Sequence, residues 1–393
     1  MEFNRFWQES PKPMIGLSPM DGVTDACFRL VVARQGKPDL ILTEFTNVEG
    51  ICHGAESELS GLIFDESERP IVAQIYGKEP EAYFQVAQLV CELGFDGLDI
   101  NMGCPAKSVA ARGCGAGLIR DPERAQAIIT AARQGIESWV KGASPVLLKE
   151  HAKVAAWFAR QNKPARPVEG RKAIQVSVKT RLGVKENTIT QWLPTLLEMK
   201  PAAISIHGRT LAQGYKGFSD WSAIALAKSM ALGSGTLILG NGDIASLEDA
   251  RQRIEQTKVD GVLIGRAVLG NPWLFRHKEM VRQNITVPAP SLTLAQRLGV
   301  ALEHARQFER IRGLSRFVAM RKHLDWYCRG FRNASDARAL LVRTNTADEV
   351  ESILAPLMED PELVSLVPGS LGHLLHPSSR SAQEALLAQG AQR

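Results

Sequence analysis

Two short apolar runs, IVAQIY at residues 71–76 and GLDIN at residues 97–101, flank a stretch long enough for one helix. This strand–helix–strand unit recurs, and most predicted strands start 25–33 residues apart. The other six predicted strands are Met14–Ser18, Leu40–Phe45, Val176–Arg181, Ala203–His207, Thr236–Gly240 and Gly261–Gly265. Eight strands that alternate with helices over roughly 250 residues predict an α/β fold, a (β/α)₈ TIM barrel. A doubly wound open sheet is the alternative, which the count of eight disfavours.

One interval breaks this spacing, because the fourth and fifth predicted strands start 79 residues apart. A helix is predicted from Asp121–Pro122 to about Val140, and the segment from about 141 to 175 then reads as an insertion. It is rich in Lys, Arg, Ala and Pro, with a short helix predicted at Val154–Arg160. The simplest interpretation is a surface excursion without functional consequence.

The chain changes character after the predicted barrel. Pro288 and Pro290 mark a linker, and apolar residues then recur at helical spacing. The helices predicted there are Leu294–Arg312, Ser315–Cys328, Ala334–Arg343 and Thr346–Met358. We therefore expect a barrel over 1–287, a small all-α helical bundle over 288–358 and a loosely ordered C-terminal tail over 359–393.

Composition bounds the class of protein. The 393 residues are 45% hydrophobic and 23% charged, as in ordinary globular chains. No apolar run reaches the roughly 18 residues that span a membrane, and the N-terminus lacks the apolar core of a secretory signal. Six cysteines show neither metal-ligand spacing nor a short disulfide framework. We expect a cytoplasmic monomer with no membrane association and no bound metal.

The charge is unevenly distributed along the chain. The net charge is +5, but residues 276–343 contain 14 Lys or Arg and only 5 Asp or Glu. That stretch therefore carries +9, and the remaining residues sum to −4. The imbalance indicates a surface that faces a polyanion.

Polar side chains interrupt otherwise apolar strands near their ends. Gln74, Asn101, Lys179 and His207 lie inside or at the ends of predicted strands, where an unpaired polar group is costly. In a (β/α)₈ barrel the carboxyl ends of the strands form the active site. Each residue alone could be a satisfied core residue, but four at one rim indicate a functional site.

The last two strands are followed by glycine-containing loops, GNGD at 240–243 and GR at 265–266. These loops hold phosphate in many barrels, because glycine lets backbone N–H groups approach the phosphate oxygens. Arg266 adds a bidentate cation. GNGDI alone is also compatible with a turn and an N-cap aspartate, but its position beside IGRA favours phosphate.

A phosphate site beside cationic side chains suits flavin mononucleotide (FMN). Lys179 and His207 are candidates to stabilise the negative charge of the reduced ring. Gln74 could bond the amide edge of the ring, and Met20 could pack against one ring face.

The loop NMGCPAKSVAARGCGAGL, residues 101–118, places Cys104 directly after the fourth strand. Gly113, Gly115 and Gly117 give this loop the small residues of a mobile lid. Cys104 is therefore the cysteine with a candidate chemical role. The alternative is that Cys114 pairs with it as a redox sensor.

At these motifs the sequence resembles the tRNA-dihydrouridine synthase family. The similarity covers roughly residues 14–345, apart from the insertion, and no motif is interrupted. It is specific as a set of motifs rather than through any one of them. The motifs are PMDGVTD (19–25), Gln74–Gly77, NMGCPAKSV (101–109), SVKTRLG (177–183), HGRT with QGYKG (207–217), GNGDI (240–244), IGRAVLGNPWLF (264–275) and RKHLDWY (321–327).

The resemblance implies an FMN-binding barrel, a helical tRNA-binding domain and NADPH as the electron source. It implies that Cys104 is the general acid. The implied cofactor-binding residues are Pro19, Met20, Asp21, Gln74, Lys179, His207, Asn241, Gly242, Asp243, Gly265 and Arg266. The implied or candidate tRNA contacts are Asn101, Arg181, Arg209, Arg316, Arg321 and Lys322, with Arg312, Arg329 and Arg332 as further contributors from the basic stretch.

The chemistry of uracil agrees with these roles. Hydride addition at C6 leaves enolate character at C5, which an acid must protonate. A thiol, with a reference pKa near 8.5, is protonated at neutral pH. The target base must be flipped out of its stack, and the tRNA must be held through shape and phosphates. The motifs do not identify the modified position.

Three other functions are compatible with parts of the sequence. A flavin reductase of a small pyrimidine or enone would not require the basic helical stretch. A tRNA-binding protein without catalysis would not require Cys104 and Lys179. A phosphosugar isomerase would lack an evident base, apart from Glu44 or Asp243.

Overall fold

A computed structural model describes residues 2–104, 106–164 and 166–359. Eight parallel strands form a closed ring, and a short ninth, β3, pairs outside it with β4. In chain order β1–β9 are Met14–Leu17, Leu40–Leu42, Thr46–Asn47, Ile71–Tyr76, Gly97–Met102, Gln175–Arg181, Ala203–His207, Leu237–Asn241 and Gly261–Ile264. The predicted (β/α)₈ barrel is confirmed. The open sheet is excluded because β1 pairs with β9.

Helices surround the ring. In chain order α1–α13 are Phe6–Glu9, Ala26–Gln35, Val48–Cys52, Glu56–Leu59, Pro80–Leu93, Lys107–Ala111, Pro122–Val140, Val146–Glu150, Ala152–Arg160, Ile189–Glu198, Trp221–Met230, Leu247–Thr257 and Lys278–Arg282. None of the helices that the structure describes is long and apolar enough to cross a membrane.

Side-chain alternation divides the interior of the barrel into two zones. Leu42, Val72, Leu239 and Leu263 pack together beneath, and Trp7 of α1 packs into the same cluster. Residues two positions further along a strand point to the same side. Gln74 and Asn241, which follow Val72 and Leu239 at that spacing, therefore lie above the apolar zone. The floor is hydrophobic and the mouth is polar.

The second predicted strand extends less far than expected. Leu40–Phe45 is the predicted range, but β2 ends at Leu42 and Thr46–Asn47 forms β3 against the end of β4. The other strand boundaries agree within one or two residues.

The insertion at 141–175 is packed against the barrel. It forms α8 and α9, and its Leu147, Val154 and Trp157 are buried in the core between the strands and the outer helices. Arg171 stacks over Trp139 of α7, 4.4 Å from the ring centroid. The segment is therefore more than a loose surface excursion.

A helical bundle follows the barrel. Its helices α14–α17 are Leu294–Arg312, Arg321–Tyr327, Ala334–Leu341 and Ala347–Glu359, with a 3₁₀ segment at Leu314–Met320. A capping box between Thr293 and Gln296 begins α14. The bundle core reaches Cys27 and Val31 of α2, so the bundle is docked on the barrel. The predicted tail at 359–393 lies, except for Glu359, outside the described residues.

A buried ion pair ties α2 to the segment before β4. Arg29 Nε lies 2.7 Å from Glu68 Oε2, and both side chains are 1% exposed. The same guanidinium donates to the carbonyls of Thr24 and Ile63. Burial raises the pKa of Glu68. The carboxylate therefore depends on Arg29 for compensation.

We expect Arg29→Met to lower the free energy of unfolding by about 3–5 kcal/mol, because Glu68 would remain buried without a partner. Arg34→Met on the same helix is the matched control, since Arg34 forms an exposed pair with Glu303 and should cost less than about 1 kcal/mol. Urea denaturation measures both. Equal losses would contradict the assignment.

Candidate active site

Four cationic side chains surround the carboxyl ends of β6, β7 and β9. They are Lys179, Arg181, Arg209 and Arg266, and all four act on His207. Asp243 balances part of this charge, since Arg209 Nη2 lies 2.6 Å from its Oδ2 and Arg266 Nη2 lies 2.8 Å from its Oδ1. Burial opposes ionisation of Asp243, but these arginines and the Ser219 N–H lower its pKa overall. The rim keeps an excess of positive charge, which suits an anionic ligand.

Glycines in the loops after β8 and β9 pack closely against neighbouring side chains. Gly242 has φ +120°, and a Cβ there would collide with the Ser219 hydroxyl oxygen and lie 2.8 Å from the His207 ring. A Cβ at Gly265 would lie 3.3 Å from the Met20 sulfur. Glycine therefore lets these two loops pack closely beside Arg266. This geometry fits a phosphate group.

Burial lowers the pKa values of Lys179 and His207. Lys179 Nζ donates to Asn241 Oδ1 at 3.1 Å. Burial, with Arg181 nearby, lowers the pKa of Lys179 to about 8, so it remains mostly charged at pH 7. Burial and the neighbouring cations hold the pKa of His207 well below its ordinary value. His207 is therefore a neutral ring that can donate from one nitrogen and accept at the other.

A chain of hydrogen bonds runs through the polar zone of the barrel interior to the cysteine loop. Ser177 Oγ and Gln74 Nε2 donate to Asp99 at 2.6 and 2.7 Å. Asn101 Nδ2 donates to Gln74 Oε1 at 3.0 Å, and Asn101 Oδ1 accepts the Cys104 N–H at 2.8 Å. An ionised carboxylate only accepts, so Asp99 fixes the orientation of both amides.

Asp99 is the site residue that sequence reasoning missed. Burial raises its pKa to about 6, and the hydrogen bonds from Ser177 and Gln74 act in the opposite direction. The sequence did contain a sign of this role. Asp99 lies two residues before Asn101 in GLDIN, so both side chains are on the inward face of β5.

Cys104 lies at the rim in a tight pocket. It is 4% exposed and clusters with Val109 and Cys114, with Phe45 and Tyr76 packed alongside. Burial raises the pKa of Cys104 to about 11, so it is a thiol at neutral pH. Cys104 and Cys114 are both free cysteines.

Two predicted RNA contacts near the rim have other partners. Arg181 Nε donates to the Gly103 carbonyl at 2.7 Å, which holds the cysteine loop, and Nη1 donates to the Thr210 carbonyl. Arg209 is fully buried, and its guanidinium binds Asp243, Ser219 and two carbonyls. Arg209 therefore acts as a structural clamp in this conformation, and the geometry does not support its predicted tRNA contact.

The predicted RNA contacts of the bundle differ in exposure. Arg316 is exposed. Arg321 donates to the carbonyls of Thr344 and Arg343 at the end of α16. Lys322 Nζ contacts the Gly22 carbonyl, which joins the bundle to the loop after β1 beside the rim.

Glu44 is a second carboxyl at the mouth. It follows β2 at the inward spacing of Leu40 and Leu42, and its Oε1 has no hydrogen-bond partner among the described residues. Burial, together with Asp25 and Asp21, raises the pKa of Glu44 to about 7. Within the described ranges, no three His, Cys, Asp or Glu side chains are grouped to hold a metal.

The sequence model of the family described as dihydrouridine synthase matches residues 16–156 and 162–360. The chain belongs to the dihydrouridine synthase family. Similar proteins include a probable tRNA-dihydrouridine synthase 2 of Bacillus subtilis (strain 168), 36% identical over 355 residues, which are 89% of this chain and 95% of that one. A probable tRNA-dihydrouridine synthase of Staphylococcus aureus (strain COL) is 33% identical and covers 89% and 94%. The family members are flavin-dependent oxidoreductases that act on tRNA uridine.

Solved structures that match this chain are less similar in sequence. Morphinone reductase gives a TM-score of 0.39 at 13% identity and covers 71% of this chain and 87% of its own. DHODH of Eimeria tenella, in complex with ferulenol, gives a TM-score of 0.39 at 15% identity and covers 61% of each chain.

We expect Asp99→Leu to slow uridine reduction about 10- to 100-fold, because the Gln74 and Asn101 amides would lose their fixed orientation and the Cys104 loop its position. Asp99→Asn keeps an acceptor for Gln74, and the Ser177 hydroxyl can reverse to accept from the new amide, so most activity should remain. Single-turnover dihydrouridine formation by pre-reduced enzyme measures the rate. Equal rates for the two variants would refute the orienting role.

The pKa of Lys179 predicts a pH-dependent stability difference. A lysine whose pKa falls on folding destabilises the fold below its folded pKa, and this cost disappears as pH rises towards the unfolded value. In flavin-free protein, Lys179→Met should gain about 1–2 kcal/mol at pH 7, after the loss of the Asn241 hydrogen bond. The gain should shrink between pH 8 and 10.5.

Urea denaturation across that pH range measures the effect of Lys179→Met. Lys185→Met, at an exposed position, shows how much of the difference comes from removing any one positive charge. A difference between the two variants that does not change with pH would contradict the role of burial.

Proposed function

We propose that this protein reduces a specific uridine of tRNA to 5,6-dihydrouridine, with FMN bound in the barrel mouth and NADPH as the donor that re-reduces it. The observation that carries the proposal is a protonated, buried Cys104 at the same rim as a cationic glycine cradle. One half of that rim suits a phosphate, and the other half supplies an acid.

The residues of the mouth fit FMN. Arg266, oriented by Asp243, and the backbone N–H groups of the loops at Gly242 and Gly265 would hold the phosphate. Lys179 would stabilise the anionic reduced ring, since its charge is already buried at the rim. The remaining residues proposed to contact the cofactor are Pro19, Met20, Asp21, Gln74, His207 and Asn241.

FMN, when bound and reduced, supplies a hydride for C6 of the uracil. Cys104 then donates its proton to C5, and its raised pKa keeps that proton in place at neutral pH. The thiolate that remains lies near Arg181 and Lys179, which both favour its charge. Asn101 and Arg181 hold the loop that carries the thiol, through Cys104 N–H and the Gly103 carbonyl. Both also remain candidates to face the target nucleotide.

The helical bundle would hold the tRNA through its phosphates. Exposed Arg316 is the clearest candidate, and Lys322 stands beside the rim at Gly22. Arg321 donates to carbonyl groups but keeps its positive charge, which would attract the tRNA phosphates. We place the enzyme in the cytoplasm, where its free cysteines stay reduced, and as a monomer, because one chain carries both the mouth and the bundle.

Cys104→Ala should keep the flavin but lower the rate of dihydrouridine formation by about 10²–10⁴. Cys114→Ala is the matched control from the same loop, and it should remain active because only Cys104 is proposed to donate the proton. Purified protein should be yellow, and NADPH should bleach the flavin in all three forms. Dihydrouridine in an unmodified tRNA transcript is the readout.

Three results would contradict the proposal. A colourless protein that cannot be reconstituted with flavin would exclude the cofactor assignment. Full activity of Cys104→Ala would exclude the acid, and loss of activity in Cys114→Ala would favour the redox pair. Turnover of free uridine as fast as tRNA would indicate a small-molecule reductase.

A further inference from the structure

The insertion at 141–175 is strongly basic. It contains eight Lys or Arg and two Glu, a net charge of +6 in 35 residues. The proposed catalytic mechanism uses none of these residues. The structure separates cations that stabilise the fold from cations that face solvent.

Several of these cations have structural partners. Arg171 stacks on Trp139 and lies 3.4 Å from Glu92, and Lys163 Nζ lies 3.5 Å from the centroid of the Phe64 ring. Arg171 and Lys163 therefore help to pack the insertion against the barrel.

Two further lysines are exposed but paired. Lys141 lies 2.7 Å from Glu137 at the end of α7, and Lys172 pairs with Glu2 near the N-terminus. Their charges are balanced locally.

Arg166 lies after α9 with its guanidinium against Gly94, and the remaining cations lie on α8 and α9. α9 buries Val154 and Trp157, so Lys153 and Arg160 lie on its exposed side. Lys149 at the end of α8 is also exposed. Lys149 and Lys153 make no hydrogen bond or ion pair with any residue that the structure describes. Arg160 pairs with exposed Glu56 at 2.9 Å, a type of contact that contributes little stability.

This basic face lies beside a segment that leads from the rim to the bundle. Lys153 packs against Gly54, and Arg160 reaches Glu56 at the start of α4. The same segment begins at the rim, where Glu49 accepts the N–H of Lys78 in the loop after β4. The two α9 cations therefore lie along the segment that leads from the rim towards Ser60.

The bundle meets this segment at its other end. Arg312 Nη1 of α14 lies 3.4 Å from Ser60 Oγ. The segment from β3 to Ser60 thus connects the basic face with the basic bundle. A ligand that is larger than either surface could reach both.

We propose that the exposed basic face of α8 and α9, formed by Lys149, Lys153 and Arg160, is a second RNA-binding surface for the tRNA substrate. It binds backbone phosphates away from the target nucleotide and supplies affinity without sequence specificity. The inference rests on the proposed function. A nucleic acid is the occupant that these charges favour, because unpaired lysines on a rigid helical face match a phosphate backbone.

The test is the salt dependence of tRNA binding by full-length, flavin-loaded protein. Lys149→Glu with Lys153→Glu should weaken binding at least about 10-fold near 0.1 M salt and reduce the slope of log K against log salt by about 1.5, as expected for two lost phosphate contacts. Lys141→Glu with Lys172→Glu changes the net charge equally, within the same insertion, and should leave the slope unchanged. Fluorescence anisotropy with an unmodified transcript measures both.

Lys149→Ala with Lys153→Ala provides a second variant that removes charge without reversing it, and it should show the same change of slope. The rate at saturating tRNA should equal that of the wild type, since the face is separate from the mouth. An unchanged slope in both variants, or an equal change in the Lys141 and Lys172 control, would overturn the proposal. Wild-type protein that binds tRNA but forms no dihydrouridine would refute the proposed function and leave this surface standing.

Discussion

The backbone pairing of β1 with β9 is the constraint on which the site depends. This pairing joins Met14 to Gly261 across most of the barrel sequence and turns a sheet into a ring. Closure brings the loop after β1 against the loop after β9, where Met20 faces Gly265. It also places Ser18 within 3.4 Å of Asn241. The residues that we propose to hold the phosphate and the flavin come together only because the barrel is closed.

The cationic side chains of the mouth are only partly compensated by acidic side chains. Burial lowers the pKa of Lys179 and Arg181, which means that both charges are held at a cost to stability. Asp243 compensates Arg209 and Arg266, while Arg181 is held by carbonyl groups. The binding of a phosphate or an anionic ring to such a site is expected to lower the free energy of the protein. The buried cations lower the stability of the fold, and the same cations strengthen the binding of an anion.

The buried carboxylate of Asp99 orients the amide side chains of the barrel mouth. Asp99 is an acceptor beneath Gln74, and the direction of each amide above it follows from that one carboxylate. The last hydrogen bond of the chain ends on the Cys104 backbone. Arg181 fixes the same loop from its other side. The Cys104 thiol is therefore positioned by the polar zone of the barrel interior as well as by its own loop.

The sequence by itself determined the strands, the helices, the glycine loops and the candidate acid, because periodicity and turn residues are local properties of the chain. Only the tertiary structure decided which charged side chains are buried against a partner and which are exposed to solvent. Arg209 and Arg316 look alike in sequence, yet the first is buried against Asp243 and the second is exposed. The sequence did not reveal the role of Asp99 or the core contacts of the insertion for the same reason. The partners of a polar side chain come from distant segments, and the burial that sets its pKa exists only after those segments pack.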